Sequence, residues 1–219
     1  MRKSGLLSKQ FMCRGLFQRG IWFFSSYPEV ELVTVTVNVT IQDCVADVLS
    51  ELVYRNMQQV SKETMFIFPV DSGTVVHTFS ATMGDTCIEA MLWEKEEAQQ
   101  LFKATSGMEN LRYLQDQEDL WGPVFTCFLG TLPPNREVAI SLCYVQELPL
   151  QPCGAAHFCW PHELVPRTKY TSGFSSEMSE NVHFNIRLKS AHGVSRITIN
   201  GRCTPLQYTA PDQTSAEVW

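Results

Sequence analysis

From Glu31 the chain reads ELVTVTVNVTI, in which Val33, Val35, Val37, Val39 and Ile41 alternate with Thr34, Thr36, Asn38 and Thr40. A strict period of two places one apolar and one hydroxylic face on opposite sides of a half-buried strand, and the β-branched content agrees. The same rhythm returns in Val48, Leu52 and Tyr54 with Ser50 between them, in Val75, His77, Phe79, Ala81 and Met83, and in Val138, Ile140, Leu142 and Tyr144. Turn chemistry such as PVDSGT, MGDT and LPPNRE separates these runs, so the pattern predicts a mainly β protein, an antiparallel sandwich or barrel.

One segment departs from that rhythm. EKEEAQQLFKATSG places Ala98, Leu101, Phe102 and Thr105 at helical spacing, with Glu94, Glu96 and Glu97 at its start, Lys103 in its last turn and Gly107 able to close it. It predicts one amphipathic helix packed on a sheet, its acidic end a solvated match to the helix dipole rather than a metal or catalytic site. After Tyr170, TSGFSSEMSEN reads as a polar connector, followed by strand patterns in VHFNIRLKS and VSRITING joined by a turn at AHG. The final YTAPDQTSAEVW offers little to bury. Two strands alone are not stable in water, so this tail is expected to dock on the main sheet or to be the edge of something larger. Three regions follow: residues 1–29 as a basic, poorly ordered segment, 30–170 as the β framework, and 171–219 as a linker with a two-strand remnant.

Charge narrows the partners. Residues 1–28 carry Arg2, Lys3, Lys9, Arg14 and Arg19 and no acid, so the remaining 12 basic residues face all 23 acidic ones, a balance of −11. Nucleic acid binding rests largely on basic groups neutralising phosphates, and this excess of acid argues against it. No apolar run approaches the ~18 residues of a membrane-spanning helix, and GIWFF is shorter than the ~7-residue core of a signal peptide, so an intracellular, soluble, cytoplasmic protein is expected. The basic start also fits a mitochondrial transit peptide, although Gly5, Gly15 and Gly20 weaken a helix there. Eight cysteines are too scattered for a small disulfide scaffold, and Cys127 and Cys143 sit among apolar neighbours as small hydrophobes. Asn38-Val39-Thr40 is a formal glycosylation sequon inside a strand pattern. His77, alternating with apolar residues, is expected to be a partly buried, satisfied histidine.

CGAAHFCWPH, Cys153 to His162, is the one concentration of metal-ligating side chains. Zinc would need Cys153, His157, Cys159 and His162 to converge on a tetrahedron, yet their spacing lacks the tight C-x2-C or H-x3-H pairs that present neighbouring ligands together. As a strand, AHFCW puts His157 and Cys159 on one face and Ala156, Phe158 and Trp160 on the other, and Pro152 and Pro161 bracket an edge strand. Ordinary strand residues are the expectation, with no metal or other cofactor. The chain carries no Gly-rich phosphate loop, G-x-S-x-G or H-E-x-x-H motif, and no catalytic residue is expected.

Taken in order, ELVYRNMQQVSKETMFIFPVDSGTVVHTFSATMGDT, EKEEAQQLFKATSG, VFTCFLGTLPPNREVAISLCYVQELPL and LVPRTKY resemble a VIT domain, the module named for a vault protein and the inter-alpha-trypsin inhibitor heavy chains. The likeness covers residues 30–170 and rests on Tyr54-Arg55-Asn56, Phe66-Ile67-Phe68-Pro69, the charged helix, Gly130-Thr131-Leu132-Pro133 and YVQELPL. Phe66, Phe68 and Tyr144 are expected to anchor the core, each contributing ~1.5–3 kcal/mol if fully buried, while Pro69 ends its strand. Gly130 is expected to turn the chain ahead of a loop stiffened by Pro133 and Pro134.

The resemblance implies a β-sandwich with one packed helix, lowers the case for zinc at Cys153–His162, and places the family-like start at Met12-Cys13-Arg14-Gly15-Leu16. Family members usually continue into a von Willebrand A domain whose metal site begins with D-x-S-x-S. That motif is missing from this sequence, so metal-dependent adhesion does not carry over and a fragment, short isoform or degenerate member is expected. The function expected is a non-enzymatic interaction or scaffold module for an unidentified protein partner. The alternatives are a zinc- or redox-active protein using Cys153–His162 and a truncated member without activity of its own.

Overall fold

A computed structural model describes residues 9–13, 30–70, 73–89, 124–160 and 182–218. Within them the regular structure is strand: β1 (Lys9–Cys13), β2 (Val30–Gln42), β3 (Val45–Asn56), β4 (Lys62–Pro69), β5 (Thr74–Met83), β6 (Thr86–Glu89), β7 (Val124–Leu132), β8 (Glu137–Glu147), β9 (Ala156–Phe158), β10 (Val182–Lys189), β11 (Val194–Ile199), β12 (Arg202–Thr204), β13 (Gln207–Tyr208) and β14 (Ser215–Val218). The predicted helix over 94–107 lies outside the described residues.

Eight strands form one sheet in the order β13-β14-β10-β2-β3-β8-β5-β6. Its centre follows the two-residue rhythm. In β2, Val35, Val37, Val39 and Ile41 are buried, and their partners Leu52, Ser50, Val48 and Ala46 in β3 are buried behind them. Ile140, Leu142 and Tyr144 of β8 continue the same rows. Paired residues point to the same side of a sheet, so the register builds one apolar face from residues far apart in sequence.

The sheet is mixed rather than antiparallel, because β10 runs parallel to β2, pairing Val182 with Val35 through Lys189 with Gln42. Direction is invisible to a period-two pattern. A strand that arrives after a connection longer than a hairpin is free to pair either way. The two tail strands also do not form the hairpin that the AHG turn suggested: β10 joins the eight-stranded sheet, whereas β11 joins a second sheet ordered β12-β11-β1-β9. Nor is the end of the chain without burial, since Ala216 and Val218 of β14 pack into the core beside Leu188 and Ile186. In the basic N-terminal stretch, Lys9–Cys13 forms the strand between β11 and β9, parallel to both.

A third, two-stranded sheet pairs β4 with β7. Its aromatic contacts fall on the large sheet: Phe66 against Phe79 at 5.5 Å between ring centroids, Phe68 against Tyr144 at 5.1 Å and Phe125 against Phe79 at 5.2 Å. Phe66, Phe68 and Tyr144 are all buried, as expected of core anchors, and β4 ends at Pro69. The four-stranded sheet contributes Ala156, Phe158, Val194 and Ile197 to the same continuous core.

Besides a shift between Lys9 and Gln10 in the β1–β11 pairing, bulges reset the phase at three places. The β5–β8 register shifts between Val76 and Thr78, so Val76 turns inward while Val75 is 65% exposed, and His77 is exposed rather than partly buried. On β2 a shift between Leu32 and Thr34 leaves Val33 out of phase with the run that follows. On β7 the extra residue is Leu129 opposite Thr64 and Met65, and Gly130 adopts φ +81° there. Gly130 therefore serves a bulge inside a strand rather than a turn. An extra residue explains how Leu129 and Leu132, odd in spacing, both reach the core.

Candidate functional site

Two of the segments that carry the family resemblance, Tyr54-Arg55-Asn56 and Gly130-Thr131-Leu132-Pro133, meet at one end of the large sheet, and Asn56 is the joint. It is the last residue of β3, where the strand leaves its partners and each backbone group needs a new one. Its N–H donates to Arg136 O at 2.9 Å and its carbonyl accepts from Asn135 N at 2.9 Å, which ties β3 to the turn before β8. Its side-chain Nδ2 lies 2.9 Å from Val60 O, 3.0 Å from Leu132 O and 3.2 Å from Pro133 O, and Oδ1 accepts from Gln58 N at 2.9 Å. The residue is 0% exposed, so these bonds replace solvent completely. Two hydrogens serve three carbonyls, and at least one bond is shared.

Three chain segments are thereby fixed to one carboxamide: the β3–β4 loop, the end of β7 and the Pro133–Arg136 turn. That turn is closed by Arg136 N donating to Pro133 O at 3.3 Å, with Asn135 in the left-handed region at φ 55°, which Asn tolerates better than most residues. Beside it, Thr64 Oγ1 donates to Gly130 O at 2.9 Å across the bulge. On the outward face, Arg55 pairs with Glu137 directly across the strands, with side chains 44% and 43% exposed. A pair that open to water contributes at most ~1 kcal/mol.

Beside the exposed Arg55, Arg136 and Glu137, the joint also presents apolar groups outward. Met57 is 48% and Val60 55% exposed, both on a loop reading MQQVS between Asn56 and Lys62. Pro133, whose carbonyl Asn56 holds, is exposed beside them in the second turn. Sequence reasoning missed Met57 and Val60. The available signal was two aliphatic side chains in a short polar loop directly after a strand.

Within the Cys153–His162 stretch, Ala156–Phe158 forms β9 at the edge of the four-stranded sheet. Gln151 N donates to Ala155 O and Gly154 N to Gln151 O, both at 2.8 Å, closing a tight turn in which Gly154 takes φ +81° and Cys153 is exposed. Ala156, Phe158 and Trp160 point into the core while His157 and Cys159 take the other face, half-exposed. His162 lies outside the described residues, and among the described residues no group of three or more His, Cys, Asp or Glu could hold a metal ion. Trp160 fixes this edge to the large sheet: its Nε1 donates to the buried Ser50 Oγ at 3.2 Å, and its ring meets Phe184 edge-on at 5.3 Å. Ser50, a hydroxyl in an otherwise apolar row, is thereby satisfied.

Two thiols are tuned away from reactivity. Burial raises Cys127 from its ordinary value to about 11. Burial, then the nearby carboxylates Asp47 and Glu51, raise Cys143 as well. A nucleophilic or metal-binding cysteine needs the opposite shift.

The model of the Vault protein inter-alpha-trypsin domain, VIT, matches residues 32–144, just over half of the chain and the whole of the Asn56 joint. The chain belongs to the VIT family. Von Willebrand factor A domain-containing protein 5A of Rattus norvegicus is 33% identical over 208 residues, which is 87% of this chain and 25% of that protein. Its Homo sapiens counterpart is 32% identical over 203 residues, 86% of this chain and 26% of that protein. Protein mono-ADP-ribosyltransferase PARP4 of Mus musculus is 34% identical over 122 residues, 56% of this chain and 6% of that protein. The chain thus spans about a quarter of the length of the first two relatives. In this VIT chain the matched residues supply β2 to β8, whereas the four-stranded sheet of β1, β9, β11 and β12 lies wholly outside the match.

Proposed function

We propose that this VIT chain is a protein-binding scaffold module with no bond-making chemistry of its own, its β framework completed by a packed helix over 94–107. The observation that carries this reading is how the family's polar residues are used. Asn56 and Thr64 direct their side chains to main-chain groups of neighbouring segments, which stiffens the framework and commits their donor hydrogens to it. The raised thiols of Cys127 and Cys143 point the same way. Exposed apolar side chains on turns tied to a sheet suit a protein interface, at which Met is among the enriched residues.

The test is capture with the tagged full chain, followed by reconstitution from purified components. A saturable, direct complex with one protein is the expected result. Turnover of a small molecule by the purified chain, or failure of every captured protein to bind it directly, overturns the reading.

A further inference from the structure

We infer that Asn200 is a self-modifying site: its carboxamide cyclises onto the main-chain nitrogen of Gly201, and the isoaspartyl product that follows frees β12 from the edge of the four-stranded sheet. Nothing in this depends on the protein-binding role proposed above.

The turn between β11 and β12 is built from the two residues that this chemistry needs. Ile199 pairs with Arg202, so Asn200 and Gly201 alone lie between the strands, and both hold a positive φ, 48° and 79°. Positive φ at both central residues marks the type I′ hairpin turn, for which Asn-Gly is a preferred sequence. It is the single Asn-Gly step in the chain, and every other asparagine precedes a residue with a side chain. Glycine leaves the attacking nitrogen unhindered. Nothing lies within 4 Å of the place a Gly201 Cβ would take, so the surroundings do not block approach either. Both residues are exposed, and among the described residues neither the Asn200 carboxamide nor the Gly201 N–H has a hydrogen-bond partner that would hold it back.

Ring closure swings the Gly201 nitrogen toward Asn200 Cγ, a rotation that the closed hairpin resists, so the turn has to open first. That opening is small. β12 is three residues long, with Arg202 and Cys203 exposed and Thr204 half-buried, and three pairs join it to β11: Ile197 with Thr204, Thr198 with Cys203 and Ile199 with Arg202. It is also the outermost strand of its sheet. An edge strand that buries no side chain opens at the low end of a fold's local stabilities.

In the open turn the Gly201 amide gives its proton to hydroxide and attacks Asn200 Cγ. The new N–Cγ bond forms, the bond from Cγ to the carboxamide nitrogen breaks, and that nitrogen leaves as ammonia after taking a proton from water. Water then opens the five-membered imide, and no oxidant or reductant is involved. Opening at Cγ gives aspartate, whereas opening at the main-chain carbonyl gives isoaspartate, in which the chain runs through Cβ. Isoaspartate therefore adds one carbon to the main chain inside a two-residue turn whose geometry sets the register of both strands, and Ile199 no longer meets Arg202. β11 is left with an unpaired edge next to the buried Ile197.

The test incubates the full chain at neutral pH and body temperature and follows each asparagine by peptide mass, with isoaspartate assigned by enzymatic methylation of its carboxylate. Conversion at Asn200 roughly tenfold or more faster than at any other asparagine is expected, because the others lack the unhindered glycine nitrogen, and it should quicken as pH rises. Hydrogen exchange of the isoaspartyl form should be faster at residues 197–204 and unchanged in β2, β3 and β8. Asn200→Gly keeps a type I′ sequence without the carboxamide, so it should show neither the mass gain at this turn nor the change in exchange on ageing. Conversion in urea but not in the folded chain means that the turn protects Asn200, and overturns the site. Conversion no faster than at the other asparagines overturns it as well. An isoaspartyl form whose exchange at 197–204 matches that of the unmodified chain overturns the release of β12.

Discussion

Replacing Asn56 by alanine tests the joint most directly. The carboxamide makes one accepted bond, from Gln58 N, and donates two hydrogens among Val60 O, Leu132 O and Pro133 O. At about 1 kcal/mol net for each of three bonds, and with buried carbonyls left unsatisfied, the loss should be about 3–4 kcal/mol. Alanine also leaves a small void, which adds to this figure rather than offsetting it. Urea unfolding of the full chain followed by tryptophan fluorescence measures it, with Arg55→Ala as the comparison, expected to cost less than ~1 kcal/mol because that pair is half-exposed. Asn56→Asp sharpens the experiment, since it keeps the shape and removes the donors. Its carboxylate would face carbonyl oxygens, which raises its folded pKa above the unfolded ~3.9. A raised folded pKa gives stability that is present at low pH and lost as pH rises through that pKa, so the aspartate variant should lie closer to wild type at pH 4 than at pH 7. Should Asn56→Ala lie within ~0.5 kcal/mol of wild type, the hydrogen bonds described for the joint do not hold it together.

Other expectations follow from the same geometry. Gly130→Ala should lose roughly 1–2 kcal/mol in thermal or urea unfolding: nothing lies within 4 Å of the added Cβ, so the loss comes from φ +81° alone, and Gly130→Asn should recover part of it. Native thiol labelling at pH 8 read by peptide mass should modify the exposed Cys87, Cys153 and Cys203 well before Cys127, whose thiol is raised to about 11. Since the Cys127 value rises from 9.0 to about 11 on folding, its contribution to stability is complete below pH 9 and is lost as pH climbs through 11, which alkaline unfolding of Cys127→Ala against wild type can register. Removing residues 182–218 should make the product aggregate in a light-scattering assay, because the eight pairs from Val182 to Lys189 cover the edge of β2 and the buried Ile186, Leu188, Ala216 and Val218 leave with them.

The strands were legible where the alternation is long and unbroken, as in Val35 to Ile41 and Val138 to Tyr144, because burial of one face requires that pattern whatever the neighbours are. Legibility failed at bulges. A single added residue at Val76–Thr78 reverses the faces without any change in residue type that marks it, so His77 read as half-buried and is exposed, whereas the one at Leu129 is marked only by the neighbouring Gly130. The tail misled for a different reason: Ala216 and Val218 are too few to form a pattern, and they are buried only because β10 supplies a neighbour. At the candidate site the resemblance marked Tyr54-Arg55-Asn56 and Gly130–Pro133 as related, but not how. The reason is a side-chain bond spanning 76 residues, from Asn56 to Leu132, which no local signal announces.

The parallel pairing of β10 with β2 has a consequence for how the molecule is made. Asn38 and its partner Asn185 are 147 positions apart. At about 5–20 residues per second, a ribosome finishes β10 roughly 7–30 s after β2 has left it. Through that interval a thirteen-residue strand rich in valine and threonine has one open edge and an uncovered apolar flank. The nascent chain therefore carries an unpaired strand edge through that interval, open to the wrong neighbour until β10 has been made.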